Sequence, residues 1–520
     1  MRETSKFHQI CSSTVTNMVI DAFLPLTTTN PVLSLIVALP ILFALSVVYN
    51  VAVQKMVPRD SSLPPLVFHY IPIIGSTISY GMNPHDFFSS CQKKYGDIFT
   101  FILLGRPITV ALGPHGTTLI LNGKLNQVNA EIEYTNLTTP VFGEGVAYDV
   151  PNHVLIEQKK FMKNGLTTEK FKHYVGIINK EVHMMLRDVF TSPINGKFEP
   201  TKVAGELTIC TATASLQGSE VRAAMDKSFA DLFHDLDCGF TPLHHILPGL
   251  PLPSYRKRDK AQKKMAEFYM GIMEMRRQSN EEHTDMIASL QGGTYKDGRE
   301  VTDREIAHMM IALLMAGQHT SAATTAWGLI EIGARPELLQ KLYDEQKEIG
   351  MSNDGTWEPL TLDLVRSSTL LQATVKEVLR MHPPIHSIMR RVMSDIPVPA
   401  SLSKDGETYV IPKGHTVLAS PLMSAFNENV WDAPETFDPT RFLDRSQDDD
   451  EEEKFDYGFG VISTGAGSPY LPFGAGRHRC IGEQFAHIQI GTIFATLVRE
   501  TEWSVDKVPK PDYSVPSCWP

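Results

Sequence analysis

The chain has 520 residues, 42% of them hydrophobic and 21% charged, which is the composition of a folded protein with a large core and excludes fibrous and disordered classes. Its formal charge is −11, and six of the negatives form a single run from Asp448 to Glu453. The mild acidity that remains excludes the basic footprint of a nucleic-acid partner, and the run itself reads as a solvated surface loop.

From Val32 to Val53 the chain reads VLSLIVALPILFALSVVYNVAV, 22 residues without a charge. At about 1.5 Å per residue this is long enough to cross a hydrocarbon core of about 30 Å. A transmembrane anchor over 32–53 is expected, kinked at Pro40, with residues 1–31 as a luminal segment. Lys55 and Arg59 follow the span, which is not how a cleaved signal peptide ends, and their charge favours a cytosolic body. Residues 54–75 carry Pro64, Pro65 and Pro72 and read as an extended linker.

The rest of the chain, 76–520, reads as one catalytic body, with no repeat and no second linker. Strand-like runs, DIFTFILL and PITVALG, come early, and long helical patterns dominate the middle, so the fold class is mainly α with small β-sheets. The clearest helix starts at Thr302, with Glu305 at capping-box spacing, and meets no proline until Pro336. A helix of that length is expected to cross the core.

Six cysteines, Cys11, Cys91, Cys210, Cys238, Cys480 and Cys518, occur without any C-x-x-C, which argues against a disulfide scaffold or a zinc module. Five read as ordinary thiols. Cys480 is different, because it lies in LPFGAGRHRCIGEQFA. Glycines on both sides let the backbone turn tightly and bare the sulfur, and Arg477, His478 and Arg479 favour negative charge there. Upstream, KEVLRMHPPI sets Glu377 and Arg380 three apart on one helix face, and FDPTRF supplies Arg441. The long helix carries AGQHTS, from Ala316 to Ser321. There a glycine and a threonine within one turn are expected to open the helix locally.

The spacing F-G-x-G-x-x-x-C-x-G around Cys480 resembles the cytochrome P-450 family, as do the Glu377–Arg380 pair and Arg441 in the same order. Within it, AGQHTS and PVFGEGVAYD (Phe142, Gly143, Val146, Tyr148, Asp149) resemble the sterol 14α-demethylase branch of filamentous fungi. The resemblance implies a cytochrome P-450 fold with Cys480 as the thiolate ligand to the iron of haem b, a ligand that favours O–O cleavage. It implies that Glu377, Arg380 and Arg441 form a buried network, and that Tyr134, Tyr148, Lys159, Arg390 and His478 bind the haem propionates. Thr320 and His319 would manage protons, His319 standing where the family usually has an acid. Phe142, Tyr134, Phe240, Pro242, His386, Ser387 and Met389 would line the substrate cavity.

The implied reaction is removal of the 14α-methyl group of lanosterol or its 24-methylene analogue eburicol, through alcohol and aldehyde to formate. Electrons would come from NADPH through a separate cytochrome P-450 reductase, with cytochrome b5 as a further donor, at the endoplasmic reticulum membrane, and azole inhibitors would bind the same site. After Tyr513 only seven residues remain, where the family continues through a β-hairpin. That departure leaves two further readings open: an enzyme acting on another triterpenoid, and a weakly active copy that binds sterols or azoles as a decoy.

Overall fold

The computed structural model describes residues 31–191, 196–241, 247–279, 281–443, 455–456, 462–463 and 466–511. The acidic run, Pro242, Cys11, Cys518 and the segment expected to lack a hairpin lie outside them.

Helix α1 (Pro31–Met56) runs through Pro40, and its stretch Ala38–Met56 is long and apolar enough to cross a membrane, with none of it buried against the body. Its last turns do touch the body. Asn50 Nδ2 donates to the carbonyls of His69 and Tyr70 at 2.9 Å each. Gln54 Nε2 donates to His69 O at 2.8 Å, and its Oε1 accepts from His69 N at 3.2 Å. Between the anchor and residue 75 there is no further helix. The segment pairs instead with the sheet, where Val67 N donates to Thr100 O at 2.8 Å and Thr100 N to Pro65 O at 2.7 Å.

The main sheet has five strands, β1 (Ile98–Leu103), β2 (Arg106–Ala111), β3 (Val128–Asn129), β4 (Ile388–Val392) and β5 (Thr416–Ala419), in the order β1-β2-β5-β4-β3. The two sequence runs read as strands become the β1–β2 hairpin. Its two-residue turn places Leu104 and Gly105 at φ 47° and 80°, the paired positive dihedrals that match the twist of a tight hairpin. Strand β4 lies antiparallel to β5, with Met389 opposite Leu418 and Arg390 opposite Val417, which carries the 386–390 segment into the interior.

The remaining helices that build the site are α2 (Glu131–Phe142), α3 (Asn152–Lys163), α4 (Pro200–Ala212), α5 (Lys227–Asp237), α6 (Asp303–Gly333), α7 (Thr369–Met381) and α8 (Glu483–Glu500). The Thr302–Glu305 capping box forms as its spacing predicts, and α6 ends at Gly333, before Pro336. Every residue from Glu305 to Ile311, nearly two full turns of α6, is buried, the pattern of a helix enclosed all round. One expectation fails. Helix α6 is unbroken across Gly317 to Thr320, because the Thr320 hydroxyl donates to the Ala316 carbonyl at 2.9 Å without displacing the helical bonds around it.

Candidate active site

The loop before α8 presents Cys480 by backbone geometry. Gly474 and Gly476 sit at φ 67° and 69°, and a Cβ on Gly476 would collide with the Leu121 carbonyl, so both positions require glycine. Cys480 N donates to Phe473 O at 3.0 Å and Arg479 N to Gly476 O at 3.0 Å. Those bonds leave the sulfur at the start of α8, where the helix dipole favours an anion. Cys480 is exposed, yet burial is the leading influence on its thiol, a combination that fits a side chain facing a space inside the protein. Burial and the Glu483 carboxylate push the thiol up, while the Gly482 amide and the cations of Lys159 and Arg479 pull it back toward thiolate. Cys91, Cys210 and Cys238 are free thiols elsewhere in the chain.

Behind the loop, Glu377 and Arg380 on α7 are wholly enclosed, with 0% side-chain exposure each, unlike the surface pair that their spacing alone would permit. Arg380 Nε and Nη2 reach the two Glu377 oxygens at 2.7 and 2.8 Å, and Nη1 donates to Ala425 O at 2.8 Å. Arg441 Nε joins Glu377 Oε1 at 3.4 Å, and its Nη2 holds Ala433 O at 3.0 Å. Three residues from two distant segments thus close one network.

Five hydrogen-bond donors gather beside the cysteine loop. Lys159 of α3 is buried and donates to the carbonyls of Arg477 and Arg479 at 3.0 and 3.2 Å, which ties α3 to that loop. The Tyr134 and Tyr148 rings lie 5.2 Å apart, and Tyr148 lies 6.0 Å from His478. Burial raises both phenols, Tyr148 to about 12, so each keeps its proton. Burial, then Arg390 and Lys159, hold His478 well below its usual range, leaving a neutral imidazole. Arg390 is buried, donates to Met389 O at 2.7 Å, and pairs with no carboxylate among the described residues. Glu131 is the acid the motifs did not reveal: it is buried, 3.8 Å from His478 Nε2, and accepts from Asn152 Nδ2 at 2.9 Å.

These residues fit an iron porphyrin. Buried His478 Nδ1 has no hydrogen-bond partner, Arg390 offers a buried guanidinium, and two protonated phenols stand beside them. Polar groups so enclosed call for acceptors, and a flat ligand with two carboxylates supplies them next to the only thiol among the described cysteines that is exposed.

On α6, one side opens inward. Ala316 is exposed in mid-helix, a Cβ on Gly317 would meet nothing within 4 Å, and Thr320 lies one turn beyond Ala316. His319 Nε2 approaches Asp237 Oδ1 of α5 to 2.6 Å, the acid being almost wholly buried, and its ring stacks on Phe233 at 5.8 Å. Asp237 carries no sequence signal, since only the fold brings α5 to α6.

The residues expected at the substrate fall into two groups. Phe142 and Phe240 form an aromatic pair with centroids 5.5 Å apart. Along β4 and the segment before it, His386 Nδ1 bonds Ser387 Oγ at 2.8 Å, and Met389 N donates to the Tyr134 hydroxyl at 2.8 Å. Tyr80, which the motifs also missed, donates to Ser387 Oγ at 3.0 Å.

A family model described as cytochrome P450 matches residues 64–516. The chain belongs to the cytochrome P450 family. It is similar to a lanosterol 14-alpha demethylase of Mycosarcoma maydis, at 50% identity over 96% of this chain and 95% of that protein. It is likewise similar to an eburicol 14-alpha-demethylase of Uncinula necator, at 50% identity over 88% of this chain and 87% of the relative. Among solved structures it resembles the retinoic acid-bound cyanobacterial CYP120A1, with a TM-score of 0.69 over 87% of this chain and 95% of that one. At 19% identity this last likeness speaks for the P450 fold alone.

Proposed function

We propose that this P450 is a sterol 14α-demethylase that removes the 14α-methyl group of lanosterol or eburicol. What carries the reading is 50% identity, across 96% of the chain, to a protein named for that reaction. Neither an enzyme for another triterpenoid nor an inactive decoy gains support from such relatives.

In this reading Cys480 holds the haem iron, and Tyr134, Tyr148, Lys159, Arg390 and His478 hold the propionates, with Glu377, Arg380 and Arg441 bracing the loop from behind. When bound, the haem supplies dioxygen reduction and oxygen insertion into the methyl group, carried through alcohol and aldehyde to release of formate. The chain's own residues do the rest. Asp237 faces the His319 imidazole at 2.6 Å, and in this reading the ring passes protons toward Thr320. Thr320, the next residue, keeps a hydroxyl oxygen free to accept a proton's hydrogen bond while its own hydrogen is held by Ala316 O. Phe142, Phe240 and Met389 exclude water from a hydrocarbon ligand. His386, Ser387 and Tyr80 offer the few polar atoms that a sterol's single hydroxyl needs. NADPH electrons arrive through a separate reductase, with cytochrome b5 as a second donor, and α1 holds the body on the cytosolic side of the endoplasmic reticulum membrane. Azoles, whose ring nitrogen can ligate iron, compete for the same space.

The test is reconstituted turnover of the full chain with a fungal-type reductase and NADPH, offering lanosterol and eburicol and identifying products by mass spectrometry. The 14-demethylated diene is expected. A preparation with an intact thiolate spectrum of its carbon monoxide complex that yields no diene from either sterol overturns the reading.

A further inference from the structure

Hydrophobic burial has no direction, so the rotation of α6 about its axis is set by directional contacts along it, among them His308 Nδ1 to the Glu144 carbonyl at 2.8 Å and Glu331 Oε1 to His382 Nε2 at 2.7 Å. Hydrogen bonds are directional, and α6 has a buried amide at the position that matters. Gln318 is 7% exposed and points at α4, where its Nε2 donates to Gly205 O at 3.0 Å and its Oε1 lies 3.4 Å from Thr208 Oγ1, whose hydrogen goes chiefly to Ala204 O at 2.7 Å. At about 100° per residue, Gln318 and Thr320 stand on opposite sides of the helix. Whatever fixes one therefore aims the other.

The same turn of α4 is gripped from a third helix. Gln489 Nε2 donates to Thr208 O at 3.2 Å and to Thr211 Oγ1 at 2.8 Å. Gln489 lies on α8, which follows the Cys480 loop directly, and Thr208, Thr211 and Gln489 are 0%, 0% and 1% exposed. Two amides thus connect the helix bearing His319 and Thr320 to the helix that presents Cys480, with one turn of α4 between them.

We propose that Gln318 is a positioning residue: its amide sets the rotation of α6, and with Gln489 it holds Thr320 and His319 in register with the Cys480 loop. The proposal rests on the monooxygenase reading and assigns to it a residue outside the proton-handling pair. Gln318→Met keeps length and volume and strands no partner, because Thr208 Oγ1 still donates to Ala204 O at 2.7 Å and Gly205 O still accepts its helical bond.

The experiment measures product and hydrogen peroxide per NADPH consumed by the full-length holoenzyme with its reductase. In Gln318→Met the thiolate spectrum and the sterol-induced spin shift are expected to match the parent. Product per NADPH is expected to fall about tenfold, with peroxide rising in step, inside the hundredfold that a 1 Å misplacement can cost. Parent-like coupling, with only the melting temperature lowered, makes Gln318 a packing residue and overturns the proposal. Should Gln318→Met not accumulate with haem, Thr208→Val removes the hydroxyl facing Gln318 Oε1. A smaller fall in coupling supports the proposal there, and unchanged coupling overturns it. Peroxide yield can be read with any ligand that shifts the spin state, so a parent chain that fails to demethylate sterols leaves this test standing.

Discussion

Asp237 Oδ1 stands 2.6 Å from His319 Nε2, joining the last residue of α5 to the residue before Thr320 on α6. The contact is close but not aligned as a hydrogen bond, and it sets an almost wholly buried acid on α5 against an imidazole that is 30% exposed.

Asp237→Asn is expected to lower kcat about a hundredfold, the lower end of what positioned acid–base groups contribute, with sterol affinity and the thiolate spectrum unchanged. His319→Phe should do the same, and the double variant should be no worse than the poorer single one, because the two act as a unit. Steady-state rates of the three variants decide it, and multiplied losses in the double variant would separate the residues.

Gly476→Ala and Gly317→Ala should fail in opposite ways. At Gly476 the methyl meets the Leu121 carbonyl in a backbone of φ 69°, so the cysteine loop must shift at a cost of roughly 1–3 kcal/mol, and haem content should drop. At Gly317 nothing lies within 4 Å, so stability should hold or rise slightly, by about 1 kcal/mol at most, while turnover declines. Haem content and melting temperature, measured beside activity, separate the two cases.

Arg380→Leu leaves Glu377 charged without its principal partner in a fully enclosed place, a change expected to cost about 3–5 kcal/mol and to release haem during purification. Arg380→Lys should not rescue, because one ammonium cannot reproduce the fork that reaches both Glu377 oxygens and Ala425 O. Denaturant unfolding of the holoprotein reads the loss, and a stable, haem-replete lysine variant would contradict the prediction.

Burial holds His386 at about 4, against an ordinary value of about 6.5. Between those values the unfolded chain binds a proton that the folded chain does not. Stability therefore rises with pH across this window and is lost as pH falls from about 6.5 toward 4. His386→Gln removes the effect, so its melting temperature should decline less steeply over that range, the difference amounting to roughly 3 kcal/mol at most. His487, also held at about 4 by burial, is common to both proteins and cancels. Parallel melting curves from pH 7 to 4 would count against the assignment.

Much of this was legible in sequence because it is local. The capping box at Thr302, the glycines flanking Cys480 and the Glu377–Arg380 spacing each constrain a few consecutive residues, and each forms as its spacing predicts, although the burial of the Glu377–Arg380 pair comes from the fold around it. Contacts between segments far apart in the chain were not legible. Asp237, Tyr80 and Glu131 meet the site across helix and strand boundaries, and no periodicity in α5 marks Asp237 as different from Asp231 or Asp235. Gln318 was visible as a letter in a motif, but its partners on α4 and α8 were not. The expected opening of α6 failed for a related reason: a threonine hydroxyl can share a carbonyl with the helical ladder as readily as it can break it, and sequence does not say which.

Asn50 and Gln54 grip the backbone of His69 and Tyr70, and the chain just beyond that grip exposes Tyr70, Ile73, Ile78 and Met82, each by 60% or more. If α1 spans a bilayer, this grip would make anchor and body move as one lever and not as a float on a tether. A thicker or thinner membrane that changes the tilt of α1 would then swing the whole body, raising or lowering these apolar side chains at the lipid surface. Lipid composition would thereby gain a mechanical handle on the enzyme, and loosening the two amides would disconnect it.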